Sequence, residues 1–147
     1  MRHTLNWLSE SRFSFGNAEK MPASYKIDKE QRLVLSSGTG VVTAEDMWAH
    51  QRQLSNDKDF DPSFSQLVDL TGVTAIGFTP DDVHGLAERS IFSPQSRRAF
   101  VAQKDLLYGL ARMFELLREA RGKDEIQVFR DRNEALEWLF AERRENG

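Results

Sequence analysis

The stretch QLVDLTGVTAIGFTP, residues 66–80, decides how the rest of the chain is read. Leu67, Val68 and Leu70 form a short apolar run, the pattern of a strand covered on both faces. Asp69 falls near the end of that run, where its carboxylate can reach solvent or a loop amide. Thr71-Gly72 then breaks it, because glycine accepts the positive φ that a sharp turn needs. Val73, Ala75, Ile76 and Phe78 describe an apolar loop that packs down onto the domain. Thr79-Pro80-Asp81-Asp82 is a helix start, with a capping hydroxyl, proline at the first helical position and carboxylates in the first turn. A strand that enters a helix through such a loop is where an open α/β sheet presents its functional edge.

Upstream, Tyr25-Lys26-Ile27-Asp28 and Leu33-Val34-Leu35 predict a two-stranded hairpin around the polar Lys29-Glu30-Gln31. Gly38-Thr39-Gly40 reads as the turn that ends it, since a phosphate loop would need a third glycine or a lysine. Thr43 to Asp46 outlines a capping box, and the helix it opens runs to about Asn56. Met47, Trp48, Gln51 and Leu54 share a face of that helix, with His50 beside them. Trp48 reads as core cover rather than as a ligand stacker. Residues 55–63 are a polar loop.

Downstream, Val83, Leu86, Ala87 and Ile91 mark a helix of two to three turns. Arg97-Arg98 precedes a buried strand at Ala99-Phe100-Val101-Ala102. Leu106, Leu107, Leu110, Met113, Phe114 and Leu117 fall at helical spacing, with Lys104, Asp105, Arg112, Glu115 and Arg118 on the wet side and Gly122 as the stop. Ile126-Gln127-Val128-Phe129 is a last strand. Asp131 to Glu134 caps a final helix that turns Ala135, Leu136, Leu139 and Phe140 inward and ends near Arg143-Arg144.

The order β-β-α-β-α-β-α-β-α predicts an α/β fold. It has a single mixed, mostly parallel sheet of about five strands, with four helices and right-handed crossovers in the second half. Residues 23–143 make the domain and 144–147 a tail. Residues 1–22 are either a loose leader or an arm whose Trp7, Leu8, Phe13 and Phe15 dock on the domain or on a second copy.

A chain of 147 residues, 39% hydrophobic and 10% aromatic, is sized for one domain with a real core. The net charge of −3 lacks the basic face of a nucleic-acid binder and gives no polybasic membrane signal. The absence of cysteine excludes disulfides, thiolate metal sites and cysteine nucleophiles. No apolar run approaches the ~20 residues that span a bilayer, and the N-terminal stretch has no secretory h-region, so a cytoplasmic protein is expected.

The element order, together with Tyr25-Lys26-Ile27, Val68-Asp69-Leu70 and Ala135-Leu136-Glu137-Trp138-Leu139, resembles the STAS superfamily over residues 24–140. The closer likeness is to the small bacterial SpoIIAA-like branch, grouped with Sec14 and CRAL-TRIO lipid-binding domains. The resemblance implies a non-catalytic regulatory or partner-binding module. It also implies, as an alternative, an apolar pocket between sheet and helices that carries a small apolar or lipid-like ligand. In the sporulation regulators of this superfamily the loop before the helix holds an Asp-Ser pair whose serine is phosphorylated. Here that loop is Ile76-Gly77-Phe78-Thr79, without the pair. Thr79 is the one nearby hydroxyl, its reading is a helix cap, and Asp81 and Asp82 would repel a phosphate placed there.

The residues that carry candidate chemistry are Asp69, Thr71, Phe78, Thr79, Asp81, His84 and Arg97, read as a ligand- or partner-binding edge. Asp69, Asp81 and His84 would suit a metal or a proton shuttle if they converged, which makes a metal-dependent enzyme a further alternative; capping explains the two helix-start carboxylates without it. A serine nucleophile has no glycine-flanked elbow. Arg97 and Arg98 read either as a solvated strand start or as a pair that takes a phosphate or carboxylate. Phe78, Phe92, Met113 and Phe114 either line a pocket or fill the core. No cofactor is expected, and the broad apolar stripe of helix 104–121 suggests a homodimer.

Overall fold

The computed structural model describes residues 22–122 and 124–142. The leader or arm before Pro22, and the Arg143-Arg144 pair, lie outside the described residues. Five strands form one sheet in chain order: β1 (Ala23–Asp28), β2 (Leu33–Thr43), β3 (Ser65–Gly77), β4 (Arg97–Val101) and β5 (Glu125–Phe129). β1 and β2 are an antiparallel hairpin, and the other neighbours pair in parallel. The helices are α1 (Ala44–Ser55), α2 (Pro80–Glu88), α3 (Asp105–Arg121) and α4 (Arg132–Phe140). This is the expected α/β order around a mixed, mostly parallel sheet.

Sheet order explains the layers. Each parallel strand is added on the same side of the last, so right-handed crossovers place α1, α2 and α3 on one face. The helix after the last strand, α4, packs on the opposite face across β3, β4 and β5. Strand alternation then sorts the side chains. Leu33, Leu67, Ala99 and Val101 meet Ala135, Leu136 and Leu139 of α4 in one buried layer. Val34, Gln66, Val68, Leu70, Arg98 and Phe100 point to the other face. Leu67 is wholly buried in the middle strand, as its apolar run predicts.

Of the three helix starts read from sequence, Asp131 caps α4 by accepting from Glu134 N–H, and the other two are capping boxes. Thr43 Oγ1 accepts from Asp46 N–H at 3.1 Å and Thr79 Oγ1 from Asp82 N–H at 3.3 Å, while each aspartate accepts the cap's own N–H at 2.8 Å.

Four expectations need correction. The segment 71–77 is not a loop, because β3 continues through it to Gly77. Nor does Gly38-Thr39-Gly40 end the hairpin, since β2 also runs on, pairing Thr39 with Gly72 and Thr43 with Gly77 across two register shifts. The two strands thus extend as a ribbon beyond the short β4 and β5. Gly40 takes φ 65° at one bulge, and a Cβ on Gly38 would come within 2.9 Å of Val73 Cγ2. The glycines mark an irregular strand rather than a turn because a parallel partner satisfies their backbone.

The third correction concerns Arg97 and Arg98, which lie inside β4 and are buried, not solvated. The fourth is the facing of α3. Leu106 is 60% exposed and Leu116 51%, whereas Glu115 is buried. The helix is turned toward α2 and β5, where Arg118 is anchored by Asp124 at 2.8 Å and by the Ala87 carbonyl at 2.7 Å, and Arg112 meets Glu115 at 2.6 Å. Leu107, Leu110 and Phe114 face the cavity as their spacing predicts; what apolar spacing does not encode is that Arg118, on the side read as wet, is held inside by Asp124 and the Ala87 carbonyl.

Candidate functional site

Between the sheet and α1–α3 lies a cavity of about 170 Å3. Its walls are apolar. Leu70 and Val73 come from β3 and Phe100 from β4; Phe78 follows β3; Val83 and Leu86 come from α2; Leu107, Leu110 and Phe114 come from α3. The ribbon formed by the long ends of β2 and β3 closes one end, where Val42 and Val73 pack with Leu107.

One side of the cavity is polar. Ser36, Gln66 and Arg98 are the inward positions of three adjacent strands, and His50 reaches them from α1. Register brings them together: Gln66 is paired with Arg98, and Ser36 lies diagonally across β2–β3 from Gln66. Arg98 Nε donates to Gln66 Oε1 at 3.2 Å, and Gln66 Nε2 donates to Ser36 Oγ at 2.9 Å. Ser36 Oγ and His50 Nε2 are 2.9 Å apart. Ser36 Oγ thus bridges Gln66 and the His50 imidazole, with the direction of its bond to Nε2 set by the tautomer. Tyr25 packs edge-on against the imidazole at 5.5 Å and donates its hydroxyl to Asp57 at 2.9 Å.

The site shifts its own titrations. Burial pushes His50 down to about 4; a hydrogen bond to Gln51 opposes this and the positive charge of Arg98 adds to it. Burial also lowers Arg98 to about 10, against the attraction of Asp124 and with the repulsion of Arg118. Tyr25 rises to about 12 through burial and its bond to Asp57. His50 is therefore neutral and Arg98 charged at pH 7.

The Arg98 guanidinium lies between two rings, 4.5 Å from the Phe92 centroid and 5.3 Å from that of Phe114. Its NH1 is buried and has no hydrogen-bond partner among the described residues.

The residues singled out from sequence are dispersed. Phe78 lines the cavity. Asp69 points to the α4 face, where it accepts from Arg132 at 3.1 Å and from the Thr71 amide and hydroxyl at 2.9 and 2.6 Å. Thr79 caps α2, while Asp81 and His84 are exposed on that helix. Asp69 and His84 thus belong to opposite sides of the sheet, and no group of three metal-ligating residues occurs among the described residues. Arg97 also faces α4: it donates to the Trp138 and Ala141 carbonyls at 2.7 and 2.9 Å, over the Trp138 ring, with Glu125 at 3.5 Å. It ties helix to sheet.

Of the proposed pocket aromatics, Phe78 and Phe114 line the cavity and Phe92 backs Arg98, while Met113 is not among the lining residues. Sequence reasoning missed Ser36 and Gln66 as site residues, left His50 beside a core face, and weighed Arg98 with Arg97 as a taker of phosphate or carboxylate but carried only Arg97 forward. Their signal was present as polar side chains at the inward alternation positions of apolar strands, repeated on three neighbours. One sequence does not show that these strands are neighbours in register.

No family model matches the sequence, and no curated protein matches it. Among solved structures, the chain is similar to an uncharacterised protein of the DUF3478 family from Shewanella loihica PV-4, described as having a SpoIIAA-like fold. The two are 22% identical, with 80% of this chain and 93% of that one covered and a TM-score of 0.53. This protein has a SpoIIAA-like fold. No helix among the described residues is long and apolar enough to cross a membrane.

Proposed function

We propose that the protein is a binding module whose cavity takes a small, largely apolar ligand. The observation that carries this reading is an unfilled space of about 170 Å3 in an otherwise packed two-faced sheet domain. Interiors pack like organic crystals, and an apolar void of about 150 Å3 is enough to admit benzene. The space is partly open to solvent, and an apolar occupant would displace water from its apolar walls. The polar row along one side supports orientation of that occupant, the common plan of small-molecule sites.

The test is binding of a neutral, benzene-sized probe such as 3-phenylpropan-1-ol. It should raise Tm in wild type, and Ala111→Phe, which fills the space from α3, should remove that rise. Absence of any shift in wild type with this alcohol, with 1-octanol and with the two corresponding acids would sink the reading.

A second reading, pairing of two copies as a regulatory unit, is favoured by the exposed Leu106 and Leu116 on α3. Sedimentation equilibrium of the full chain should then give twice the monomer mass; a monomer at all concentrations rejects it.

A further inference from the structure

The polar side of the cavity carries more positive charge than it can answer. Arg118 and Asp124 neutralise one another at 2.8 Å, both nearly buried. Arg98, 6% exposed, has no carboxylate within ion-pair distance among the described residues. Its Nε is engaged by a neutral amide and its faces by two rings, and neither supplies a negative charge. Arg98 lines the cavity, and its NH1 is buried without a hydrogen-bond partner among the described residues. A buried, incompletely hydrogen-bonded guanidinium is costly, and such groups are found paired. Guanidinium is also the side chain whose fork fits a carboxylate. Ser36 and Gln66 stand alongside, themselves held by Arg98 and His50, so the recess is pre-set rather than assembled on binding.

Resting on the cavity reading above, we propose that its ligand is an apolar monocarboxylate. The carboxylate is received by Arg98 beside Gln66 and Ser36, and the body lies against Leu70, Phe78, Leu86 and Phe114. The size of the space fits a body on the order of a benzene ring with a short side arm, or an alkyl chain of comparable volume. Asp124, which also attracts Arg98, is paired with Arg118, so the three together leave one net positive charge to match one negative charge. A phosphate monoester would bring nearly two, and no second free cation lines the space among the described residues.

The experiment compares acids with alcohols of the same body by calorimetry on the full chain at pH 7.5: 3-phenylpropanoate against 3-phenylpropan-1-ol, and octanoate against 1-octanol. At least one acid should bind wild type about tenfold or more tightly than its alcohol, the size expected for hydrogen bonds to a charged group. Arg98→Met should bring that acid to parity with its alcohol while keeping the alcohol's affinity; Arg98→Lys should retain part of the preference. Alcohols that bind as well as both acids in wild type would overturn the carboxylate assignment and leave the cavity reading standing. A preference that survives in Arg98→Met would also overturn it. No binding by any of the four compounds would remove both. The wild-type comparison decides the matter even where Arg98→Met fails to fold.

Discussion

At the scale of single residues, His50 is the group whose state most depends on being folded. Its imidazole is packed against Tyr25 and held to Ser36, and burial keeps it neutral down to about pH 4. In the unfolded chain it titrates near 6.5. Between these values the unfolded state binds more protons, so stability rises with pH across the window. The contribution is present above about 6.5 and is lost as pH falls toward 4, roughly 3 kcal/mol in all. Arg98 and Tyr25, which face His50, titrate near 10 and 12 and leave this window to it. Urea unfolding at pH 7 and pH 4.5 should show the wild type losing more stability than His50→Gln; equal losses would mean that the imidazole is hydrated.

The same scale shows why Arg97 and Arg98, adjacent in sequence, part company. Alternation sends Arg97 to the helix-capped face, where the Trp138 and Ala141 carbonyls accept from NH1 and Glu125 lies 3.5 Å from Nε, and Arg98 to the cavity side, where the guanidinium's one hydrogen-bond partner among the described residues is the Gln66 amide.

At the scale of elements, the capping boxes were legible because their chemistry is local. Thr43 with Asp46 and Thr79 with Asp82 need only a spacing of three and an extended cap residue, and both occur as read. The long ends of β2 and β3 were not legible. Thr71-Gly72 and Gly38-Thr39-Gly40 carry turn residues, yet each segment finds the other as a parallel partner, and that pairing overrides local preference. Gly40 is the position where glycine is needed for its backbone alone, since φ is 65° and a Cβ added there would meet no atom within 4 Å. Gly40→Ala should therefore cost about 1–2 kcal/mol without any clash, and Gly40→Asn less, because asparagine tolerates the left-handed region. Urea midpoints of the two variants would check this; an Ala variant as stable as wild type would exclude the positive φ.

At the scale of the whole molecule, the sheet has two unlike faces. One is sealed by α4 and packed with Leu33, Leu67 and Val101; the other supports three helices above a space they do not fill. Asp69 and Arg97 serve the sealed face, which is why residues close to a promising sequence motif are structural. The rotation of α3 decides a second feature. By turning Glu115 and Arg118 inward it leaves Leu106 and Leu116 outside. If two copies pair there, Leu106→Glu with Leu116→Glu should halve the sedimentation mass and leave Tm within a few degrees, as expected of surface changes. A mass unaltered from a wild-type dimer would place the contact elsewhere.

What the sequence by itself determined is the set of elements, their order, both cap motifs and the central position of Leu67 to Leu70. Each follows from periodicity, capping spacing or an apolar run, which act over a few neighbouring residues. Only the tertiary structure decided that Ser36, His50, Gln66 and Arg98 share one wall of a cavity while Asp69, Asp81 and His84 do not meet. The reason is physical: strand register and crossover hand choose which alternate residues look at one another across 14 to 32 positions of chain. No local propensity carries that choice.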